Sequence, residues 1–514
     1  MDWDSDPLPD VDFHIGHLLG RGSFAKVYLC GSSKAFAAKF VHKENARNIS
    51  GYSVKDIKRE GLLQKYCSNH RNILSCSRSG EDDKWVWFVL DVAGGGDLFS
   101  KIEADVGVHE DVAHMYFKQL IGAVQFLHSR GVAHRDIKPE NILLDAQGNL
   151  LLSDFGLATI FKRHGRTKQS STVCGSPPYV APEILANRGP YDLEPVDIWS
   201  CGIILFVLLT GCTPWNWAVD GDRDFCKFVS SAKKLNLLQK IHPWKNIARE
   251  PLSLIIKILE EDPKMRFSFS GIRTHPWFMR KNPLLHSEGI CTDSMKLAET
   301  MLGGMHIDLR QNRVSSSTDP LKPRSLNNMN VYSCSQPTEL AARQSDLNDV
   351  LSQPVLGNKR ERPNLTQHEN LGIEEISLLQ YSKKSDLPNT LDTITQKARK
   401  FEDLLPKDTL NRFYVQVSLD VLKSYLQAFL LRKGIRSILG SAQRQDCFVF
   451  AASLRDRRQC PLNGRVKCYV WPGYDGQFIE VIFERIKGDP LEWRRVFKEA
   501  ALDCAEIIYT GEFE

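Results

Sequence analysis

The segment HRDIKPEN at positions 134–141 constrains the fold of this chain more than any other feature. It is followed, thirteen residues after Asn141, by a DFG motif that begins with Asp154. A carboxylate at Asp136 can orient a hydroxyl group and accept its proton, and Lys138 lies close enough in a tight loop to reach a phosphate. Asn141 and Asp154 supply oxygen ligands of the kind that Mg²⁺ prefers. Phosphoryl transfer needs an aligned hydroxyl, clamped phosphates and neutralised charge, and these side chains suit it.

The two motifs together resemble the catalytic core of the protein kinase family. A three-residue HRD alone could arise by chance in a loop, but the full pattern at this spacing favours the family. The resemblance implies an α+β fold: a bilobal kinase domain at residues 11–280, with a small lobe at 11–91 and a large lobe at 97–280. Residues 1–10 are expected to form an N-terminal tail. ATP and Mg²⁺ are the implied cofactors, with Asp136, Lys138 and Asn141 catalytic and Asn141 and Asp154 binding metal.

The small lobe opens with strands at Phe13–Leu19 and Ala25–Cys30 around the glycine loop GRGSFA at 20–25. Glycine lets backbone N–H groups approach phosphate oxygens without a Cβ in the way. A G-x-G pattern alone is weak, because glycine-containing hairpin turns are common. The family usually has a third glycine where Ala25 stands.

Lys39 lies inside an apolar strand, Ala35–Val41, at the spacing of the family's phosphate-binding lysine. Glu60, on a helix at Val54–Tyr66, occupies the position of its partner. A surface lysine and a solvated glutamate are the alternatives. After a strand at Trp85–Leu90, the segment DVAGGGDL resembles the hinge between lobes, and its three glycines predict a supple hinge; a linker without a ligand role is the alternative.

The resemblance assigns nucleotide contacts to residues of both lobes and the hinge. They are Leu19, Gly20, Gly22, Val27, Ala37, Lys39, Glu60, Asp91, Ala93, Asp97 and Leu143. The backbone of Asp91 and Ala93 is expected to bind adenine, and Asp97 is expected to face the ribose.

In the large lobe, apolar residues at helical spacing predict a buried helix at Glu110–Arg130. Ser170, Ser171 and Thr172 offer phosphorylation sites in the activation segment, and Arg135 could pair with such a phosphate. Two further features resemble structural parts of the family rather than chemical ones: Asp197 as an anchor of the catalytic loop, and an ion pair between Arg266 and Glu183.

Substrate class follows from the same resemblance. Lys138 is typical of serine/threonine kinases. Asp97 and Glu140 flank the expected peptide groove, where a carboxylate can bind an arginine by charge-assisted hydrogen bonds. We therefore expect a preference for arginine three residues before the acceptor, although ion pairs within the domain are the alternative.

Composition adds few constraints. A net charge of +5 over 514 residues argues neither for nor against nucleic acid or membrane. The thirteen cysteines show no C-x-x-C pair, which is typical of reduced thiols in a reducing compartment. The N-terminus lacks an apolar signal region, and no run was found that approaches eighteen apolar residues; Ile203–Leu209 is a short buried segment at most. We expect a soluble, monomeric intracellular protein without direct nucleic-acid or membrane binding.

Residues 281–397 are expected to form a mostly disordered linker, since 310–395 are rich in polar residues with little periodicity. The linker holds a cluster of Ser-Gln and Thr-Gln pairs. Their phosphoacceptors are Ser335, Ser352, Thr366 and Thr395. The cluster predicts phosphorylation by Gln-directed DNA-damage kinases, which would add nearly two negative charges at each site.

A small α+β domain is expected at residues 398–514. A helix is predicted from Ser418, with a stop at Gly434. Strands are predicted at Cys447–Leu454, Val466–Trp471 and Gln477–Ile486. A last helix is predicted at Pro490–Ile507, with proline at its first position.

The tail motifs DRRQCPL at 456–462 and GDPLEWRR at 488–495 resemble those of the DNA-damage checkpoint kinase 1 family, in its fungal-like form. This resemblance implies a Ser/Thr kinase of the nucleus, also found in the cytoplasm, that phosphorylates cell-cycle phosphatases and inhibitory kinases. Upstream DNA-damage kinases and checkpoint mediators are the implied partners. The tail is expected to restrain the kinase until the linker is phosphorylated. Its expected contacts are Arg457, Arg458, Trp493, Arg494 and Arg495, with a solvated basic face as the alternative.

Two rival functions stay open at this level. One is a metabolic kinase whose tail binds acidic lipid, which the Ser/Thr-Gln cluster disfavours. The other is a pseudokinase scaffold, which the intact Lys39, Asp136, Asn141 and Asp154 disfavour.

Overall fold

The computed structural model describes residues 6–31, 34–232, 235–302, 411–433, 436–440, 447–471 and 478–508. The four Ser/Thr-Gln pairs lie outside the described residues, as does most of the expected linker.

The small lobe is one antiparallel sheet flanked by two helices. Its elements are β1 (Ile15–Arg21), β2 (Ala25–Cys30), β3 (Phe36–His42), α1 (Lys43–Ser50), α2 (Val54–Tyr66), β4 (Cys76–Glu81) and β5 (Trp85–Leu90). The strands are ordered β1-β2-β3-β5-β4. The strand expected at Phe13–Leu19 begins two residues later, at Ile15, which is the first residue to pair with β2, opposite Cys30.

The large lobe is mainly helical. Its strands are β6 (Gly96–Asp97), β7 (Val132–Ala133), β8 (Ile142–Leu144), β9 (Leu150–Leu152), β10 (Thr159–Ile160), β11 (Lys162–Arg163) and β12 (Arg166–Thr167). Its helices are α3 (Glu110–Ser129), α4 (Pro182–Leu185), α5 (Leu193–Thr210), α6 (Arg223–Ala232), α7 (Leu235–Leu238), α8 (Arg249–Ile258), α9 (Phe269–Thr274), α10 (Pro276–Met279) and α11 (Ser294–Leu302).

Helix α5 is longer and more apolar than the short segment expected at Ile203–Leu209. Its eighteen residues have a mean hydropathy of 1.7 and pass a length-and-composition test for a membrane span, but 83% of them are buried inside the protein. Trp199, Ile203 and Phe206 are fully covered. The apolar run is explained by the lobe's core, which surrounds the helix.

Two of the three hinge glycines are required by the packing and the backbone conformation of the hinge, and its predicted suppleness stays a prediction. A Cβ on Gly95 would lie 2.5 Å from the Asp145 carbonyl oxygen, and Gly96 has a positive φ of 68°. The Gly95 N–H also donates to the Leu144 carbonyl at 3.0 Å. Glycine is needed here because backbone packs directly on backbone.

The large lobe extends past residue 281, where the linker was expected to begin. Helix α11 covers the lobe with Leu297, Ala298 and Met301, which are buried in its core. The Tyr116 hydroxyl lies 3.7 Å from the Met301 sulfur. The boundary expected at residue 281 is therefore too early by at least twenty-one residues, since the described chain runs to Leu302.

In its described residues, the C-terminal domain, called the tail below, is a five-stranded antiparallel sheet with two helices. Its elements are β13 (Arg412–Gln416), α12 (Leu419–Arg432), β14 (Arg436–Gly440), β15 (Cys447–Arg455), β16 (Pro461–Trp471), β17 (Phe478–Lys487) and α13 (Pro490–Asp503). The strand order is β13-β17-β16-β15-β14. Leu426 of α12 and Phe497 of α13 share one core with Val466 and Val481 of the sheet.

Sequence patterns gave the tail's fold class but missed two of its strands, β13 and β14. The strand predicted at Val466–Trp471 starts five residues later than β16 does, and the predicted last helix runs to Ile507, whereas α13 ends at Asp503. The start of α13 matches the prediction: Gly488 turns with a φ of 104°, and the Asp489 side chain accepts the N–H groups of Leu491 and Glu492. Proline then fits the first helical position, where no backbone donor is needed.

Candidate active site

The catalytic loop is held by one buried carboxylate. The two oxygens of Asp197 accept the backbone N–H groups of His134 and Arg135, each at 2.8 Å. His128 Nε2 lies 2.7 Å from Asp197. Burial alone would raise the pKa of Asp197, but His128 and the Arg135 N–H hold it below its ordinary value. Because Arg135 has a positive φ of 66°, which strains a non-glycine residue, the carboxylate fixes a backbone shape that the chain alone disfavours.

Asp136, Lys138 and Ser176 form a tight polar cluster at the centre of the site. The Ser176 hydroxyl donates to Asp136 Oδ1 at 2.9 Å and accepts from Lys138 Nζ at 3.1 Å. Lys138 Nζ also lies 2.6 Å from Asp136 Oδ2. Burial would lower the pKa of Lys138, but the carboxylates of Asp136 and Glu140 outweigh it and raise the pKa. The lysine is therefore a fixed positive charge.

The contact between Ser176 and Asp136 was not predicted from the sequence. Asn141 lies on the other side of the aspartate, where its Nδ2 donates to the Asp136 carbonyl at 2.8 Å. Its backbone carbonyl accepts from the Ser153 N–H and hydroxyl. The amide group is thereby held with its nitrogen toward Asp136, which leaves its oxygen for another ligand.

Lys39 joins the two lobes. Its Nζ lies 2.5 Å from Glu60 Oε1 on α2 and 3.3 Å from Asp154 Oδ1. The Lys39 charge lowers the pKa of Asp154 to about 2, in spite of burial. Burial alone would lower the pKa of Lys39, but Asp154 and Glu60 raise it. All three side chains are therefore assembled, with Asp154 ionised at neutral pH.

The residues expected around adenine lie together at the junction of the lobes. Ala37 belongs to an apolar cluster, and Val27, Ala93 and Leu143 pack against it. Leu19 is 42% exposed at the cleft's edge. At the hinge, the Asp91 N–H donates to the Ser75 carbonyl at 3.0 Å.

The glycine loop is closed as a hairpin. Gly20 pairs with Val27 across the sheet. The Gly22 N–H donates to the Ala25 carbonyl at 2.7 Å. In this conformation the Gly22 donor is engaged by the protein rather than free for a phosphate.

The activation segment is held in place by backbone pairing. Ser170 exchanges both backbone hydrogen bonds with Tyr191, at 3.0 and 2.8 Å. Arg135, the expected partner of a phosphate, instead donates its Nε to the Leu157 carbonyl at 2.7 Å. Below this segment, Arg266 binds Glu183 through two hydrogen bonds of 2.6 and 2.9 Å. Backbone pairing and this ion pair therefore hold the segment in the conformation described.

We predict that replacing Ser170, Ser171 and Thr172 together by alanine changes kcat/KM by no more than about twofold, the usual range for surface substitutions. The backbone pairs that hold the segment do not involve these side chains. Peptide phosphorylation kinetics would check this, with the phosphate content of the wild-type segment measured by mass spectrometry. A loss of more than about tenfold would show that a phosphate is needed.

The tail lies across the cleft between the lobes. Arg485, near the end of β17, donates its Nη2 to Asp97. Two residues further on, Lys487 Nζ lies 2.6 Å from the Ser23 hydroxyl in the glycine loop. Burial and the nearby Lys138 charge lower the pKa of Lys487. One strand of the tail thus contacts both lobes.

A second set of ion pairs joins α13 to the loop before α3. Arg494 donates to Glu103 Oε2 at 2.8 and 3.2 Å. Lys498 Nζ lies 3.4 Å from Glu103 Oε1. Arg495 donates to the two oxygens of Asp105 at 3.0 and 2.7 Å. The Glu103 and Arg494 side chains are 0% and 4% exposed, so this pair is removed from water.

An apolar contact completes the tail's docking. Leu491, at the start of α13, is only 3% exposed and belongs to the core cluster of the large lobe rather than to that of the tail. The docked tail therefore combines buried charge pairs with an apolar anchor.

The expected tail contacts are met in part. Arg494 and Arg495 contact the kinase domain. Trp493 instead lies in the tail's own core, where its Nε1 donates to the Phe483 carbonyl at 3.3 Å. Arg458 binds Asp456 and Asp489 within the tail, at 2.7 and 2.8 Å, and its charge also acts on Tyr179 of the kinase domain. The backbone N–H of Arg457 lies 3.5 Å from Glu492 of the tail, and the Arg457 charge acts on Asp105 of the kinase domain.

The contacts of Arg485, Lys487, Leu491 and Lys498 were not predicted. Sequence offers one weak signal for the first two, because residues two apart on a strand share a face.

The two carboxylates expected to bind a substrate arginine have different partners. Asp97 Oδ1 accepts the Phe99 N–H at 2.9 Å, and Oδ2 accepts from Arg485. Glu140 Oε2 is buried and has no hydrogen-bond partner within the described residues. Burial raises the pKa of Glu140, although Lys138 acts in the opposite direction.

The bilobal fold with this constellation of charges defines a protein kinase, and residues 13–278 match the family described as "Protein kinase domain". Over 516 aligned residues, the chain is 37% identical to the serine/threonine-protein kinase chk1 of Schizosaccharomyces pombe, covering 98% of each chain. It is 35% identical to serine/threonine-protein kinase CHK1 of Saccharomyces cerevisiae, again covering 98% of each. The chain therefore belongs to the checkpoint kinase 1 family of serine/threonine protein kinases.

A relative from another group aligns over less of the chain. CBL-interacting protein kinase 5 of rice is 35% identical over 334 residues, which cover 64% of this chain and 69% of that protein. The resemblance to the checkpoint kinases, by contrast, includes the tail. The predicted enzyme class and family are confirmed.

Proposed function

We propose that this chain transfers the γ-phosphate of Mg·ATP to serine or threonine in cell-cycle regulators, as part of the DNA-damage and replication checkpoint. We further propose that its tail holds it back until the linker is phosphorylated. The observation that carries the proposal is the assembled site of Lys39, Glu60, Asp136 and Asp154 beneath a tail that contacts both lobes. Its alignment with two chk1 kinases over 98% of the chain supports the checkpoint role.

The residues present fit a nucleotide and its metal. Asp154 is ionised because its pKa is about 2, and Asn141 has its nitrogen held by Asp136, so both can offer oxygen to Mg²⁺. When bound, Mg²⁺ would neutralise phosphate charge. Lys39 would bind phosphate oxygens while Glu60 fixes its position. Ala37, Val27 and Leu143 would enclose adenine.

Asp136 is the proposed base. The Ser176 hydroxyl demonstrates that one oxygen can contact both the Asp136 carboxylate and the Lys138 ammonium, at 2.9 and 3.1 Å. A substrate hydroxyl bound in the same manner would donate its proton toward Asp136 as its oxygen attacks the γ-phosphorus. The bond from that phosphorus to the bridging oxygen would break, and ADP would leave. Lys138 would stabilise the negative charge on the transferred group. Asp97 and Glu140 would favour an arginine upstream of the acceptor.

Phosphorylation of the linker is the proposed release signal. Ser335, Ser352, Thr366 and Thr395 are the proposed acceptors for Gln-directed DNA-damage kinases, with checkpoint mediators bringing the two enzymes together. Added phosphate would compete for the basic residues of the tail that now bind Glu103 and Asp105. The nucleus, and also the cytoplasm, is the proposed location; imaging of a fluorescent fusion before and after DNA damage would test it.

The test compares the full-length chain with a variant in which all four phosphoacceptors are alanine, each before and after treatment with a Gln-directed kinase. Activity toward an arginine-containing peptide should rise about 5- to 150-fold in the wild type, the usual range of allosteric coupling. The four-alanine variant should not respond. A chain inactive toward every Ser/Thr peptide would refute the enzyme activity, and an equal response in both proteins would refute the release mechanism.

A further inference from the structure

The docked tail leaves the catalytic groups in order, and this limits how it can restrain the enzyme. Lys39 still binds Glu60 at 2.5 Å, and Asp154 lies 3.3 Å from Lys39. Asp136 still holds the Ser176 hydroxyl at 2.9 Å. A restraint that worked by pulling α2 away or turning Asp154 out would have broken these contacts. The tail must therefore act on access to the site.

Arg485 indicates what the tail blocks. Its guanidinium binds Asp97, one of two carboxylates that we propose for the substrate's arginine. The side chains are 17% and 9% exposed, so the pair is mostly shielded from water. The Arg485 Nη1 donates to the Gly488 carbonyl at 2.9 Å, which fixes the guanidinium at the turn between β17 and α13. The arginine is thus pre-positioned by its own domain.

Glu140, the second carboxylate, makes no hydrogen bond to Arg485 among the described residues, although the charges of Asp489 and Arg458 of the tail act on it. Its Oε2 is buried without a hydrogen-bond partner in the part of the chain that the structure describes. A substrate arginine near both carboxylates could gain an interaction that Arg485 does not make. The tail therefore occupies the arginine site through Asp97, whereas a substrate arginine near both carboxylates would also interact with Glu140.

We propose that Arg485 mimics the substrate's arginine, so that the tail and an arginine-containing substrate compete for Asp97. This inference rests on the proposed arginine-directed kinase activity. It identifies the tail as a built-in competitor and predicts that a basic substrate helps to open the enzyme that modifies it.

The test uses the full-length chain with fluorescent proteins at its two termini, so that energy transfer reports docking of the tail. Four variants are compared with the wild type: Asp97→Asn, Arg485→Gln, the double variant, and Glu103→Gln as the matched control. Asparagine keeps an oxygen for the Phe99 N–H, so Asp97→Asn removes charge without removing this hydrogen bond. Glu103 is a carboxylate that binds the tail but lies on the loop before α3, away from the proposed arginine site.

Asp97→Asn and Arg485→Gln should each shift the tail's equilibrium toward the open form by about tenfold, the scale of a hydrogen bond to a charged group. The double variant should open no further than either single one. Asp97→Asn should also lower the preference for arginine about tenfold. This preference is the kcat/KM for a peptide with arginine three residues before the acceptor, divided by the kcat/KM for the same peptide with glutamine there. Glu103→Gln should open the tail and keep that preference within about twofold.

A direct competition experiment completes the test. A peptide with arginine at that position and alanine in place of the acceptor should open the wild-type tail at about one-tenth of the concentration that its glutamine counterpart needs. The inference is overturned if Asp97→Asn opens the tail but keeps the arginine preference. It is also overturned if the effects of Arg485→Gln and Asp97→Asn on opening of the tail add independently in the double variant. If the open Glu103→Gln variant phosphorylates neither peptide, the proposed function itself fails. Energy transfer reports docking of the tail without any catalysis, so it distinguishes this failure from a failure of the inference.

Discussion

Replacing Asp136 by asparagine is expected to lower kcat about 10²- to 10⁴-fold, the range that general acid–base catalysis supplies. Asparagine keeps an oxygen for the Ser176 hydroxyl, which lies 2.9 Å from Asp136 Oδ1. It cannot take the proton of a substrate hydroxyl, and it removes the counter-charge of Lys138, 2.6 Å away. The measurement is steady-state kcat with Mg·ATP and an arginine-containing peptide, in an Arg494→Glu background that releases the tail.

ATP binding should change little in the Asp136→Asn variant, because the Lys39–Glu60 pair is not touched. The melting temperature should fall, because Lys138 loses its buried counter-charge. Asp192→Asn is a matched control: its carboxylate accepts from Gln169 at 3.1 Å, outside the catalytic cluster. Its kcat should stay within about twofold of the background. If Asp136→Asn keeps ATP binding and more than about a tenth of the background kcat, Asp136 is not the base.

The parts of the site that could be predicted from sequence lie in short segments with fixed internal spacing. The positions of Asp136, Lys138 and Asn141 follow from one tight loop, and the partners Lys39 and Glu60 follow from a strand and the helix after it. Local geometry controls such contacts, so a motif match transfers the arrangement. Helix α2 was predicted at the same residues that the structure shows, Val54–Tyr66.

The tail's docking could not be predicted in the same way. Arg485 and Asp97 are 388 residues apart, and neither position belongs to a short pattern that identifies its partner. Glu103 and Asp105 lie on a loop where Asp105 has a positive φ of 64°. In sequence, a charged residue in such a loop cannot be told from a solvated one. Only the folded tail reveals that both carboxylates face arginines.

The errors at element boundaries have similar physical causes. Strand β13 contains alternating buried residues, Phe413 and Val415, but Tyr414 between them is also apolar, so the sequence shows no period-two alternation there. Helix α11 was not predicted, because it falls in the segment that was expected, from polar composition, to be a disordered linker. Its residues Leu297, Ala298 and Met301 are nevertheless buried. In both cases the partner surface supplies most of the stabilisation, and composition alone does not show it.

Reversing the charge of Arg494 is expected to raise the activity of the unphosphorylated full-length enzyme strongly. Arg494 and Glu103 are 4% and 0% exposed in the docked state. Removing one partner of a buried pair costs about 3–5 kcal/mol, because the other charge is left unpaired and desolvated. At 1.4 kcal/mol for each factor of ten, Arg494→Glu should shift the tail's equilibrium roughly 10²- to 4 × 10³-fold toward the open form. Activity should rise until the open form dominates and then level off.

Arg432→Glu is the matched control for this variant. Arg432 is an arginine of the same domain, but it is 62% exposed and pairs with Asp503 of the tail itself. Its reversal should leave basal peptide phosphorylation within about twofold of the wild type. Since the Glu103 pair is buried, the effect of Arg494→Glu should also persist at high salt, where exposed ion pairs are screened. A tail that opens in Arg494→Glu without any rise in kcat/KM would show that docking does not restrain the kinase.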